Sequence, residues 1–242
     1  MFGIEKKTFY KMVFFVIFIL VLYNLIKTDI FTVLNINSNR CVKVKIDKIN
    51  KIWGEINKIT KKYGMKTGGI SHVPDKANSI IDYFRNKNIN KMAEIGFNAG
   101  HSTSLFLILF PNCRITIFDL MMYPYSEECK SFLQKEFPNR IKVIKGDSIK
   151  KIPNYFKKDF DLVHIDGNHD GEYPKLDLEN SIKFLLNKKG YIIFDDSRYN
   201  NSIYLNNKFK NCINILNTFI KNNNNVKLLK KLNGSSILCL ME

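Results

Sequence analysis

Five short apolar runs limit what this chain can become: Met92–Ile95, Ile115–Phe118, Ile141–Ile144, Leu162–Ile165 and Tyr191–Phe194. Helical patterns lie between most of them, over Ser102–Phe110, Ser126–Phe137 and Pro174–Lys188. Strands that alternate with helices build βαβ units, and those units build a parallel sheet covered on both faces. The helix over 174–188 carries its own punctuation, with Pro174 at its start, Lys188 and Lys189 in its final turn and Gly190 as its stop. After a further helix near Lys208–Lys221 the rhythm breaks. "NVKLLKKL" and "SSILCLME" are strand-like and are separated by Asn233-Gly234, the strongest short hairpin signal. The expected fold is α/β: a doubly wound, seven-stranded, mostly parallel sheet that ends in an antiparallel hairpin.

The N-terminus reads as a separate object. "MVFFVIFILVLYNLI", Met12–Ile26, would span roughly 22 Å as a helix, short of a bilayer core of about 30 Å. Adding Phe9 and Tyr10, with Lys11 and Lys27 snorkelling outward, brings it to crossing length. No small-residue cleavage site follows the apolar run, so a transmembrane helix is expected over 1–28, anchoring the chain as a single-pass membrane protein. Lys6, Lys7 and Lys11 precede it and Lys27, Arg40, Lys43 and Lys45 follow, so charge asymmetry does not orient it. Residues 29–64 read as a connector and an amphipathic helix, with Ile46, Ile49, Ile52, Trp53, Ile56 and Ile59 at helical spacing. Trp53, the only tryptophan, is assigned to the core on that face. The glycine-rich "GMKTGGISHVP" leads into a second amphipathic helix around Asp75–Lys87, and the domain proper is expected over 65–242.

A formal charge of +16 raises the question of a nucleic-acid partner. The basic residues come with an excess of Asn, Ile, Phe and Tyr spread along the whole chain, as an AT-biased genome writes proteins. No Arg-rich arm, zinc-finger spacing or RNA-binding motif is present, and no nucleic acid is expected. Cys41, Cys113, Cys129, Cys212 and Cys239 are scattered and odd in number, which is neither a disulfide framework nor a zinc site.

The chemistry concentrates first in "AEIGFNAGHSTSLF", residues 93–106. A strand reaches Glu94, Gly96 and Gly100 loosen the backbone, and a helix opens at once. Such a loop lets backbone approach a ligand closely, and helix-start N–H groups attract anions. Asp119 ends the next strand, 19 residues past Gly100, where an acid binds ribose hydroxyls. The loop is not G-x-G-x-x-G and lacks the G-K-[ST] ending of a phosphate-cradling loop. An acid at Glu94 repels a pyrophosphate and suits a cofactor carrying an ammonium and a sulfonium, which favours S-adenosylmethionine over NAD.

"EIGFNAGHST", "IFDL", "IKGDS", "FDLVHIDGNHDGEY" and "GYIIFDDS" follow each other as in the class I S-adenosylmethionine-dependent methyltransferases. More narrowly the chain resembles the metal-dependent small-molecule and sugar O-methyltransferase branch, over about residues 65–242. The resemblance implies a Rossmann-like fold in which Glu94 and the Gly96–Gly100 loop hold the amino-acid end of the cofactor. It implies Ser102 beside the cofactor carboxylate, Asp119 on the ribose and Asp147 at the adenine side.

Asp166 ends one strand and Asp195-Asp196 end another, so in a parallel sheet the three carboxylates are expected to converge above one edge. Like charges held close repel unless a cation sits between them, and an oxygen-only cluster suits Mg²⁺ or Mn²⁺. The resemblance places metal ligands at the same three aspartates. His169, in the same loop, is the candidate for taking the acceptor's proton. Many relatives carry an acid two places after the first aspartate where this chain has Asn168, whereas His164 lies inside the strand and reads as structural. The reading is a divalent-metal-dependent O-methyltransferase for a sugar or other small hydroxyl compound. Alternatives are a membrane-anchored metal-dependent glycosyltransferase and a non-catalytic binding module. Substrate-binding loops are expected at Lys66–Pro74 and Arg198–Asn207.

Overall fold

The computed structural model describes residues 40–64, 69–155, 157–197 and 210–241. Seven strands form one sheet: β1 (Lys91–Ile95), β2 (Arg114–Asp119), β3 (Ile141–Lys145), β4 (Phe160–Ile165), β5 (Leu186–Phe194), β6 (Val226–Lys231) and β7 (Ser236–Leu240). Their order is β3-β2-β1-β4-β5-β7-β6. The first five are parallel, while β7 runs antiparallel to both β5 and β6, so the sheet ends in the expected hairpin. The chain order reverses between β1 and β4, the position where open α/β sheets hold ligands.

Helices cover both faces. On one lie α1 (Arg40–Lys62), α2 (Pro74–Phe84), α3 (His101–Leu109) and α4 (Ser126–Glu136), packed on Met92, Ile115, Ile117, Leu162 and Ile193. On the other lie α5 (Ser148–Tyr155), α6 (Tyr173–Asn180) and α7 (Lys210–Asn222), whose Ile152, Leu178 and Leu216 meet Ala93, Ile95, Val163, Ile165 and Ile192. The strand residues alternate between the two layers, as a period of two requires. Trp53 is buried as expected, and its indole N–H donates to the His101 carbonyl at 2.9 Å, which fixes α1 against the start of α3.

Two expectations change, and others fall outside the described residues. The anchor over 1–28 and residues 29–39 of the connector lie outside the described residues. Among those described, no helix is long and apolar enough to cross a membrane, and the single-pass membrane localisation is corrected on that finding. Residues 66–68 and 198–207 of the expected substrate loops also lie outside the described residues. The helix expected over 174–188 instead ends in a π-helical turn at Ser181–Leu185, and Leu186 already pairs with Phe160 of β4. Gly190 is therefore no helix stop. It lies within β5, where a Cβ would stand 2.4 Å from Leu186 Cδ1 and 3.0 Å from the Phe160 carbonyl oxygen.

Candidate active site

The carboxyl ends of the parallel strands are laced together one step past their pairing. Gly96 N–H donates to Phe118 O (3.0 Å), Asp166 N–H to Ile95 O (2.9 Å), Asp195 N–H to Ile165 O (3.0 Å) and Gly146 N–H to Asp119 O (2.9 Å). The loops that follow β1 to β5 therefore leave the sheet side by side. Asn98, Met121 and Asp196, which follow β1, β2 and β5, all have positive φ (52°, 52° and 47°). Backbone of that kind is costly for residues with a Cβ and clusters at functional sites.

Gly96 has φ 93°, and a Cβ on it would lie 2.0 Å from the carbonyl oxygen of Asp166. The glycine is thus required by contact as well as by conformation: the first loop presses directly on the end of β4. Gly100, at φ 84°, is the N-cap of α3, and a Cβ there would meet Phe97 and Leu133 at 2.6 and 2.5 Å. Asp119 shapes the loop from the next strand. One carboxylate oxygen accepts from the Phe97 N–H at 2.6 Å and the other from the Met121 N–H at 2.5 Å. Asn98 is held from the far side, its side-chain oxygen accepting from Tyr125 Oη at 2.6 Å. Asp147 caps α5 through the Ile149 N–H at 3.1 Å. Directly after Asp119, Leu120 and Met122 are 53% and 70% exposed.

Glu94 does not face outward. It is fully buried, and its carboxylate accepts from the Ser102 hydroxyl at 2.6 Å, from the Thr103 hydroxyl and from the His164 ring, whose Nδ1 lies 3.1 Å away. As placed, the Glu94 carboxylate is turned to Ser102, Thr103 and His164, and Ser102 is engaged with Glu94. The register explains it: Glu94 is paired with His164 across β1 and β4, and both side chains enter the layer beneath α3.

His164 continues the chain of charges. Its Nε2 stands 3.8 Å from Asp195 Oδ2, and Asp195 is 4% exposed. Burial alone would lower the His164 pKa, but Asp195 and Glu94 override it and raise it to about 10, so the ring is an imidazolium between two carboxylates. Asp195 also accepts from the Ser235 hydroxyl at the hairpin turn. Its second oxygen lies 2.5 Å from the Lys76 ammonium, which is 3.5 Å from Asp196 Oδ1. Burial pushes Asp195 upward in pKa, yet Lys76 and His164 together hold it well below the carboxylate range. Asp196 is raised to about 7 by burial and by the neighbouring Asp195.

The expected metal set of Asp166, Asp195 and Asp196 does not form as three aspartates. Among the described residues, ligand atoms within 4.8 Å of one another occur as His164, Asp166 and Asp195, and as Asp166, His169 and Asp196. More telling is Lys76: a divalent ion between Asp195 and Asp196 would have to displace a buried ammonium that is paired with both. The three aspartates as placed do not fit Mg²⁺ or Mn²⁺. Sequence reading missed Lys76, although a signal was present. It lies one turn before Ile80, on the face of α2 that buries Ala77, Ile80, Ile81 and Phe84, so a charge interrupts an apolar stripe.

His169 sits over this cluster, its Nε2 3.2 Å from Asp196 Oδ2 and 3.7 Å from Asp166 Oδ1. Burial works to lower its pKa, but Asp166 and Asp196 win and hold it above the ordinary imidazole value. Asn211 of α7, also missed in the sequence, fixes the loop by donating to the carbonyls of His169 (2.8 Å) and Gly171 (2.9 Å). Asn168 closes the turn itself, its side-chain oxygen accepting from the Asp170 N–H at 3.1 Å.

Residues 93–197, from β1 to just past Asp196, match the family model of a methyltransferase domain. The chain is similar to the O-methyltransferase from Bacillus cereus in complex with S-adenosylhomocysteine, at 17% identity and a TM-score of 0.61, over 79% of this chain and 91% of that one. It is similar to the S-adenosylhomocysteine-bound methyltransferase PaMTH1 from Podospora anserina, at 14% identity and a TM-score of 0.59, over 100% and 99%. It is also similar to the O-methyltransferase TomG from Streptomyces achromogenes, involved in tomaymycin synthesis and solved with S-adenosylmethionine, at 13% identity and a TM-score of 0.58, over 87% and 93%. At these identities the likeness shows the fold. No curated protein matches the chain.

Proposed function

We propose that this chain, whose residues 93–197 match the model of a methyltransferase domain, is a class I methyltransferase that uses S-adenosylmethionine to methylate a hydroxyl oxygen of a small molecule, with His169 as the base. The observation that carries the reading is the contact between Gly96 and the Asp166 carbonyl, which brings the β1 loop against the loop that bears His169. When bound, S-adenosylmethionine supplies an electrophilic methyl group on a sulfonium.

The residues fit that cofactor in a manner different from the sequence reading. Asp119 is half-buried, and each of its oxygens already accepts one backbone N–H, so further lone pairs are left for two ribose hydroxyls. The exposed Leu120 and Met122 next to it offer apolar surface for a base. Gly96 and Gly100 supply the positive-φ turns that bend the loop along which the amino-acid end would lie. Glu94 and Ser102 act from beneath, holding the start of α3 to β1, while Asp147 shapes the neighbouring loop.

An alcohol is a poor nucleophile at neutral pH, and a positioned base removing its proton is worth about 10²–10⁴-fold. His169 is set for this by Asp166 and Asp196 on one side and by Asn211 on its backbone. As the acceptor oxygen takes up the methyl group, its proton would pass to the His169 imidazole. The two carboxylates stabilise the imidazolium that results. The fold and domain match leave the glycosyltransferase reading without support.

The test is transfer of label. The protein, incubated with methyl-tritiated S-adenosylmethionine and a small-molecule extract, is expected to place tritium in an organic-soluble or ion-exchange small-molecule fraction. The His169→Ala protein is expected to do so at least 100-fold more slowly. Label entering only protein or nucleic acid would overturn the reading.

A further inference from the structure

We propose that the Lys76 ammonium is the resident cation of the acidic cluster, holding Asp195 and Asp196 together in the role expected of a divalent metal, so that this site works without one. The inference rests on the methyltransferase reading above and deepens it.

Lys76 is placed where a lysine is costly. It lies in the first turn of α2, where the helix dipole disfavours a cation, and it interrupts an otherwise apolar buried face. It is 8% exposed, and ordering a lysine side chain in a buried position forfeits much of its rotamer freedom. Burial of an ammonium is tolerated only when it is paired and hydrogen-bonded. The pairing here is with Asp195 at 2.5 Å and Asp196 at 3.5 Å, two neighbouring carboxylates that would otherwise repel each other in a buried position.

The surroundings are built to keep the ammonium there. Its aliphatic stem passes the hairpin turn, where a Cβ on Gly234 would be 3.5 Å from Lys76 Cδ. The adjacent Ser235 hydroxyl takes the other oxygen of Asp195, and Ser197 bonds Ser236 across the same corner at 2.9 Å. Asp196 is thereby turned, at φ 47°, so that one oxygen meets Lys76 and the other meets His169. Lys76 is thus a positioning residue. It acts on the base through Asp196, and its ammonium is paired with both aspartates at once.

The experiment compares the full-length wild-type protein with Lys76→Met, using Mn²⁺ as the probe. Electron paramagnetic resonance counts free and bound Mn²⁺, and a parallel titration with S-adenosylhomocysteine reads the cofactor site separately. The wild type is expected to show no saturable Mn²⁺ binding up to millimolar concentration and to keep its methyl transfer after dialysis against EDTA. Lys76→Met, with an uncompensated acid pair, is expected to bind Mn²⁺ at least tenfold more tightly than the wild type. Stoichiometric Mn²⁺ binding by the wild type with loss of transfer in EDTA would overturn the proposal. So would a folded Lys76→Met with no gain in Mn²⁺ affinity; Lys76→Gln serves if the Met variant does not fold. Failure of S-adenosylhomocysteine to bind the wild type would instead strike at the methyltransferase reading.

Discussion

Gly96→Ala is the sharpest perturbation the structure offers, because its cost divides into two parts. An alanine at φ 93° takes on a left-handed backbone penalty of about 1–2 kcal/mol. Its Cβ would also lie 2.0 Å from the Asp166 carbonyl oxygen and 2.7 Å from the carbonyl carbon, which are backbone atoms and cannot rotate away. Relief requires parting the loop from the end of β4, an overpacking cost of about 1–3 kcal/mol. The sum is about 2–5 kcal/mol. Gly171→Ala separates the two contributions. Gly171 has φ 55°, and a Cβ there would meet nothing within 4 Å, leaving only the backbone penalty of about 1–2 kcal/mol. Urea unfolding followed by the fluorescence of Trp53 measures both. Gly96→Ala is expected to be less stable than Gly171→Ala by about 1–3 kcal/mol and to bind S-adenosylhomocysteine more weakly. Equal costs for the two substitutions would refute the claim that the first loop is pressed against Asp166.

Two further outcomes follow from the charges. His169 works as a base only when neutral, and Asp166 and Asp196 hold its pKa above the ordinary imidazole value, so the methyl-transfer rate rises with pH through that elevated pKa. Asp166→Asn removes one of the raising carboxylates, and the rising limb of the pH–rate profile is expected to move to lower pH; an unmoved limb would exclude His169 as the titrating base. Glu94→Gln leaves the buried His164 imidazolium with one carboxylate partner fewer and is expected to destabilise the protein by roughly 3–5 kcal/mol in urea unfolding, as breaking a buried ion pair does. A loss of cofactor affinity with unchanged stability would instead return Glu94 to the cofactor.

The strands were legible because each is a short apolar run bounded by helix or turn signals, and the Asn233-Gly234 hairpin was legible from its turn chemistry alone. That Asp166 and the Asp195-Asp196 pair follow neighbouring strands was implied by the parallel sheet. What the sequence concealed was direction. Glu94 shares its strand face with Met92, which a period of two sends into the layer under α3, and its partner His164 becomes evident only once β1 and β4 are in register. Lys76 lies 119 positions before Asp195, and no local pattern pairs them; the clue was a lysine on the apolar face of α2. The end of the helix after Pro174 was misread because Lys188, Lys189 and Gly190 imitate a helix C-terminus, whereas Leu186 is drawn into the sheet beside Phe160.

The most direct measurement is calorimetric titration of the full-length protein with S-adenosylhomocysteine, beside a panel of nucleotide sugars. The protein is expected to bind S-adenosylhomocysteine saturably and one-to-one, at least tenfold more weakly as Asp119→Ala, and not to bind the nucleotide sugars. Absence of S-adenosylhomocysteine binding at millimolar concentration, or binding indifferent to Asp119, would contradict it.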